Sequence, residues 1–243
     1  MDEQDENVIR FPVHRRGTLA DTLGGFPTRD GGPSWSATRR EHPISLVVAD
    51  LRGHGALAAR LGGPAADDAV RGALAAAIGA LRSHGGERLA VGGGESQPVL
   101  CAEFSRPEHA LQAIVAGNDL RDAVHGATDG IEACVGVNTG VVVEASLPGD
   151  VPMTYRAMAT VRMFAVRLQE FAGPGQVFVS ASTLARIDPG LARFRSIGAV
   201  RTNAGGESTE AFALLELSAA ARALRPAGGA TGAHGPARGA GGA

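Results

Sequence analysis

The stretch that most limits the fold is Pro43–Leu51, PISLVVADL, a β-branched run that keeps its apolar character as far as Asp50. A strand with one wet face alternates apolar and polar residues, whereas a continuous apolar run marks a strand buried on both faces. This one belongs in the centre of a sheet. The segments ALAARLG and AADDAVRGALAAAIGALRSHGG follow, the second with Val70, Leu74, Ile78 and Leu81 at helical spacing and a stop at Gly85–Gly86. VLCAEF reads as a short strand. SRPEHALQAIVAGNDLRDAV predicts a helix opened by Ser105 and Glu108 in capping-box spacing, with Pro107 in the first turn and Leu111, Ile114, Val115 and Leu120 on its apolar face. IEACVGVNTGVVVEA predicts two strands joined by a hairpin turn at Asn138-Thr139-Gly140. RAMATVRMFAVRLQEFAG predicts a helix closing at Gly173; GQVFVSASTLARI predicts a strand, an N-cap at Ser180 or Ser182, and a helix. FRSIGAV and TEAFALLEL are closing strands. The order β-α-α-β-β-α-β-β-α-β-α-β-β predicts an α/β (α+β) sandwich: a mixed sheet with helices mainly on one face.

Both ends read differently. Residues 1–42 combine Pro12, Pro27 and Pro33 with the pairs Gly24-Gly25 and Gly31-Gly32 and show poor periodicity, the mark of a flexible arm. Within that arm NVIRFPV places Val8, Ile9, Phe11 and Val13 in a polar setting, a candidate docking segment for a protein partner. Residues 218–243 form a Gly/Ala/Pro tail expected to be disordered, and its His234 is assigned no role. Residues 43–217 are left as the folded domain, a size that supports one substantial core.

Several function classes are excluded. A net charge of −2 gives no basis for binding nucleic acid through its phosphates. No apolar run is long enough to span a bilayer, and the acidic start MDEQDENVIRF is not a secretory signal, so the cytoplasm is expected. All 23 residues of the Lys/Arg class are Arg. That removes the Gly-Lys-Ser/Thr step of a phosphate loop and any lysine Schiff base. The run Gly92–Gly94 is therefore no phosphate cradle; SQPVLCAEF continues from it as a strand. Cys101 and Cys134 sit in apolar runs without Cys-x-x-Cys spacing, and His54, His84, His109 and His125 share no metal-ligand spacing.

Over about Pro43–Leu217 the ordered motifs resemble the class III nucleotidyl cyclase catalytic domain. VVADLRGHGALAARLG matches a strand ending in a metal-binding Asp, then a Gly and a short helix. His84-Gly85-Gly86 matches the end of the following long helix, and VLCAEF and EHALQAIVAGNDL match the next strand and helix. GVNTG at Gly136–Gly140, Tyr155, Arg167-Leu168 and GPGQVFVSASTLARI complete the set. The resemblance implies a ferredoxin-like-derived sheet and an active site shared between two subunits. It implies a homodimer or a heterodimer with a related chain, with EASLPGDVPMTY as the arm crossing to the partner.

The reaction implied joins a ribose 3′ oxygen to the α-phosphorus and expels pyrophosphate. It needs carboxylates to hold two divalent ions, a donor for the α-phosphate and groups that choose the purine. Asp50 matches the first metal carboxylate, although an Asp there also suits a helix cap. The place of the second falls on Gly94, which has no oxygen to offer. Glu95 is adjacent, but a one-residue shift on a hairpin turns a side chain to the other face. The Lys that selects the purine falls on Ala90 and the Asn that orients the ribose on Met163. Thr160 stands at the base-selecting position, Gly53 and His54 beside Asp50 are candidate nucleotide contacts, and Arg167 is the retained, vestigial catalytic Arg. Arg167 also has Glu170 within helical reach as a surface partner. The expectation is a lapsed cyclase homology domain serving signal transduction as a regulatory or interaction module. The alternatives are a nucleotide-binding sensor without turnover and a weak adenylate or guanylate cyclase. No cofactor is required unless cyclase activity remains, when Mg²⁺ or Mn²⁺ would be.

Overall fold

The computed structural model describes residues 38–94, 97–147, 153–157, 159–201 and 208–224. Strand β1 (Thr38–Arg52) leads through helices α1 (His54–Leu61) and α2 (Gly63–Ser83) to a hairpin of β2 (Glu87–Gly94) and β3 (Gln97–Phe104). Helix α3 (His109–Ala127), β4 (Glu132–Leu147), β5 (Met153–Ala157) and α4 (Ala159–Phe171) follow. The chain ends in β6 (Val177–Ser180), α5 (Ala181–Leu184), a 3₁₀ turn (Pro189–Leu191), β7 (Ala192–Arg201), β8 (Ser208–Leu217) and α6 (Ala219–Ala223). The sheet order is β2-β3-β1-β4-β6-β8-β7, with β5 also pairing β4. Only the β4–β6 pairing is parallel among those described, so the sheet is mixed, as expected.

The apolar run of β1 lies mid-sheet for the reason its composition gives: both of its faces are covered. Val47, Ala49 and Leu51 point into a core shared with Val70, Ala73, Ala77 and Leu81 of α2 and Leu111, Ile114 and Leu120 of α3. Ile44, Leu46 and Val48 point the other way, onto Val161 and Ala165 of α4. Most helical mass is thus on one face, and α4 alone of the longer helices covers the opposite one. Where α4 crosses β4 the backbones approach so closely that only glycine fits. A Cβ on Gly136 would stand 3.0 Å from Leu168 Cβ and nearer still to the Ala165 carbonyl oxygen and the Gln169 nitrogen.

Four expectations are corrected. Asn138-Thr139-Gly140 is no turn: β4 runs straight through it, pairing Asn138 with Leu46, Thr139 with Ser45 and Gly140 with Ile44. Turn-forming residues stand there for other reasons. Asn138 is buried and its Nδ2 donates to the Val161 carbonyl (2.9 Å), while Gly140 makes room for the Val161 side chain. The capping box also fails. Helix α3 starts at His109 behind a left-handed Glu108, and Ser105 Oγ donates instead to Glu87 Oε2 of the neighbouring strand (3.1 Å). Strand β1 begins at Thr38 rather than Pro43, because the long β4 pairs with it as far as Ser146. Finally, residues 218–224 are folded: Ser218 caps α6, whose Ala221 is fully buried. The rest of the two ends and residues 148–152 of the segment expected to cross to a partner lie outside the described residues.

Candidate functional site

Asp50 is two residues short of the end of β1, on the face covered by α4. Its direct cross-strand partners are Val99 on β3 and Cys134 on β4, and Val99 in turn pairs with Gly92 on β2. Directly opposed residues share a face, so Gly92, Val99, Asp50 and Cys134 form one row. That row holds a single carboxylate. Asp50 is mostly buried and its Oδ2 accepts from Arg52 Nε at 3.0 Å. This hydrogen bond, working against burial, raises the Arg52 guanidinium pKa. Gly94 sits opposite Gln97 at the hairpin tip, and Glu95 lies outside the described residues. Among the described residues no group of three or more His, Cys, Asp or Glu could hold a metal ion. Among the described residues, the row through Asp50 thus brings one carboxylate to the place where the resemblance implies two.

The other candidate residues are spread along the two faces. Gly53 has φ +117°, and a Cβ on it would strike the Gly130 carbonyl; its place is set by a backbone approach. His54 Nε2 lies 2.8 Å from Asp67 Oδ1, tying α1 to α2. Arg52 and Gly53 line a cleft of about 230 Å³ with His125, Asp129 and Glu132. Thr160 is exposed in the first turn of α4 and lines a different cleft of about 490 Å³. Met163 is 41% exposed on the same helix, so it is not a packed core residue. Arg167 Nη1 donates to Glu170 Oε2 at 2.6 Å, the helix-surface pairing open to it from sequence. Ala90 is exposed on β2, one row from Asp50's and opposite Cys101. Both thiols are free. Burial raises both, Cys134 to about 11, so neither is an activated nucleophile.

Pattern reading passes over one buried polar chain. Ser45, inside a run read as apolar throughout, lies 2.8 Å from His109 Nδ1 and 2.6 Å from Thr139 Oγ1. Ser182 Oγ donates to the Thr139 carbonyl (2.8 Å), and within 3.2 Å of the same hydroxyl is Asn138 Oδ1. The chain joins the start of α3 to the start of α4 through the sheet. Asn138, Thr139 and Ser182 also line the Thr160 cleft, whose remaining polar members, Ser208 and Thr209, are likewise uncharged. A hydroxyl at position 45 among aliphatics is the signal that could have revealed it.

No family model and no curated protein matches this sequence. Solved structures do. The adenylyl cyclase CyaB from P. aeruginosa is 18% identical with a TM-score of 0.58, over 74% of this chain and 97% of that one. A non-canonical dimeric guanylyl cyclase domain of the RhoGC fusion protein from the aquatic fungus Blastocladiella emersonii is 14% identical with a TM-score of 0.58, over 74% and 99%. The guanylate cyclase domain of RhGC from Catenaria anguillulae, in complex with GTP, is 15% identical with a TM-score of 0.56, over 74% and 100%. The strand order, the crossing helix α4 and these likenesses together give this chain the catalytic-domain fold of the class III adenylyl and guanylyl cyclases.

Proposed function

We propose that this domain has the cyclase fold without cyclase turnover, and acts as a regulatory or interaction module by pairing with a second copy or a related chain. The observation that carries the reading is the row through Asp50, in which Gly92 and Val99 stand beside the one carboxylate. Divalent cations are held by several oxygen ligands, and each anionic one lost weakens the site steeply. The positions of the purine-selecting Lys and ribose-orienting Asn, Ala90 and Met163, are apolar as well. Pairing is supported by one structurally similar guanylyl cyclase domain that forms a non-canonical dimer, although a double mutant of that domain is monomeric. The test is incubation with ATP or GTP and Mn²⁺, with Asp50→Ala beside the natural chain. No cyclic product is expected from either; product that Asp50→Ala abolishes would refute the reading.

A second reading, a nucleotide-binding sensor without turnover, is favoured by the cleft at Thr160. The exposed Thr160 hydroxyl, with Ser208 and Thr209 beside it, supplies uncharged hydrogen-bonding groups of the kind that select a neutral base. A rise in melting temperature with ATP, GTP or a cyclic nucleotide, lost in Thr160→Val, would favour it over the first.

A further inference from the structure

Among the described strands β2 ends the sheet, with β3 as its one neighbour. Open edges are usually guarded by charge, proline or a bulge, because their unpaired N–H and C=O groups accept another strand. On β2 the charge of Arg88 and a shift in register between Glu87 and Ala90 guard only its start; Ala90, Val91 and Gly92–Gly94 follow without charge, proline or bulge. Val91 is 52% exposed although its cross-strand partner Leu100 is core. Beside this edge runs a groove of about 380 Å³, lined by Val70 and Leu74 of α2 and by Val91 and Pro98, with Asp67 and Arg71 as its charged members.

We infer that this edge is the seat of the chain's own segment Asn7–Val13, added to the sheet as a further strand antiparallel to β2. Its sequence suits an outermost strand. In an extended chain, alternate residues turn their backbone groups to opposite sides. Pro12 has no N–H and must belong to the outward set, so Ile9, Phe11 and Val13 make the hydrogen bonds to β2 and share one face. Those three supply the apolar cover that Val91 and Leu74 lack. Pro12 in turn stops any further strand from adding.

The length of the connection selects the direction. Glu87 is level with Glu103 and through it with Leu46, eight positions inside β1 from Thr38. An antiparallel segment leaves Val13 at that end. From there to Thr38 is about 14 Å across three strand spacings and about 26 Å along the strand, a span of roughly 30 Å. The intervening residues 14–37 number 24 and contain five glycines. A flexible linker of that length has a root-mean-square span of about 27 Å, close to the optimum. A parallel segment would leave Val13 at the Gly94 end and require roughly 50 Å.

At an effective concentration of about 1 mM, a segment with a Kd of about 0.1 mM is docked roughly ten times as often as it is free. The test compares amide hydrogen exchange in the full chain and in a full-length Ile9→Asp/Phe11→Asp variant. Expected is an approximately tenfold faster exchange across Leu89–Gly92 in the variant, with Val135 and Val137 of central β4 unchanged as the check on folding. A free peptide of residues 5–15 added to the variant should restore the protection. Equal exchange in the two chains would overturn the proposal, as would a peptide without effect. Protection that grows with protein concentration would also overturn it, because the arm would then be that of a second copy.

Discussion

Replacing Gly136 by alanine tests whether α4 is seated as described, because the added methyl has nowhere to go. It would meet Leu168 Cβ at 3.0 Å and, closer, the Ala165 carbonyl oxygen and Gln169 nitrogen. Two of these three are helix backbone, so no change of rotamer relieves the clash; the helix must lift by about 1 Å. A gap of that size forfeits a quarter to a half of each dispersion contact. The contacts at risk include the buried Val161, Ala165 and Leu168 against β1 and β4. Overpacking of this kind costs about 1–3 kcal/mol, and the backbone obstruction places Gly136→Ala near about 3 kcal/mol. Gly72→Ala is the matched control: that glycine is exposed in the interior of α2 with nothing within 4 Å of the new methyl. There the substitution should stabilise by about 0.5–1 kcal/mol through helix propensity and unfolded-state entropy. Urea titrations read at equal m-value separate the two. A Gly136→Ala loss below about 1 kcal/mol would refute the close approach of α4 to β4.

Burial pushes the Cys134 thiol up to about 11, so at pH 8 only about 0.1% is thiolate. One thiol per native chain is expected to react with a disulfide reagent, that of partly buried Cys101 and more slowly than a free thiol, and two after unfolding; two in the native chain would contradict the burial of Cys134. Burial, with Arg186 nearby, lowers the His109 pKa, so the unfolded chain takes up a proton that the folded one resists. Stability should be full above the ordinary histidine value and fall as pH drops through the lowered one. The urea midpoint should therefore decline as the pH falls below the ordinary histidine range, and less steeply in His109→Gln. Asn138→Ala leaves the Val161 carbonyl without its donor and should cost about 1–3 kcal/mol in the same titration; a neutral result would mean that the amide bond is replaced by water.

Element types were legible wherever one period dominated. Val70, Leu74, Ile78 and Leu81 mark α2, and the PISLVVADL run marks a strand covered on both faces. What misled was chemistry serving two purposes. Asn-Thr-Gly is a turn signal when exposed, but within β4 the same residues are a buried donor, a network hydroxyl and a gap for Val161. Ser105 and Glu108 have the spacing of a cap, yet Glu87 competes for the serine hydroxyl from a strand that local pattern cannot place. At the candidate site, sequence identified the positions to inspect, but registry was needed to see Gly92 and Val99 level with Asp50. The Ser45–His109–Thr139 chain stayed hidden because its members are 64 and 94 residues apart.

The glycines at the end of β2 differ in what they would tolerate. At Gly92 and Gly94 a new Cβ meets nothing within 4 Å, whereas Gly93, with φ +82° and the Gln97 carbonyl in its path, admits no side chain. An acidic side chain could therefore be placed at either outer position without repacking a single buried atom. A second carboxylate in the row through Asp50 is thus a surface change on a hairpin, not a change of the core.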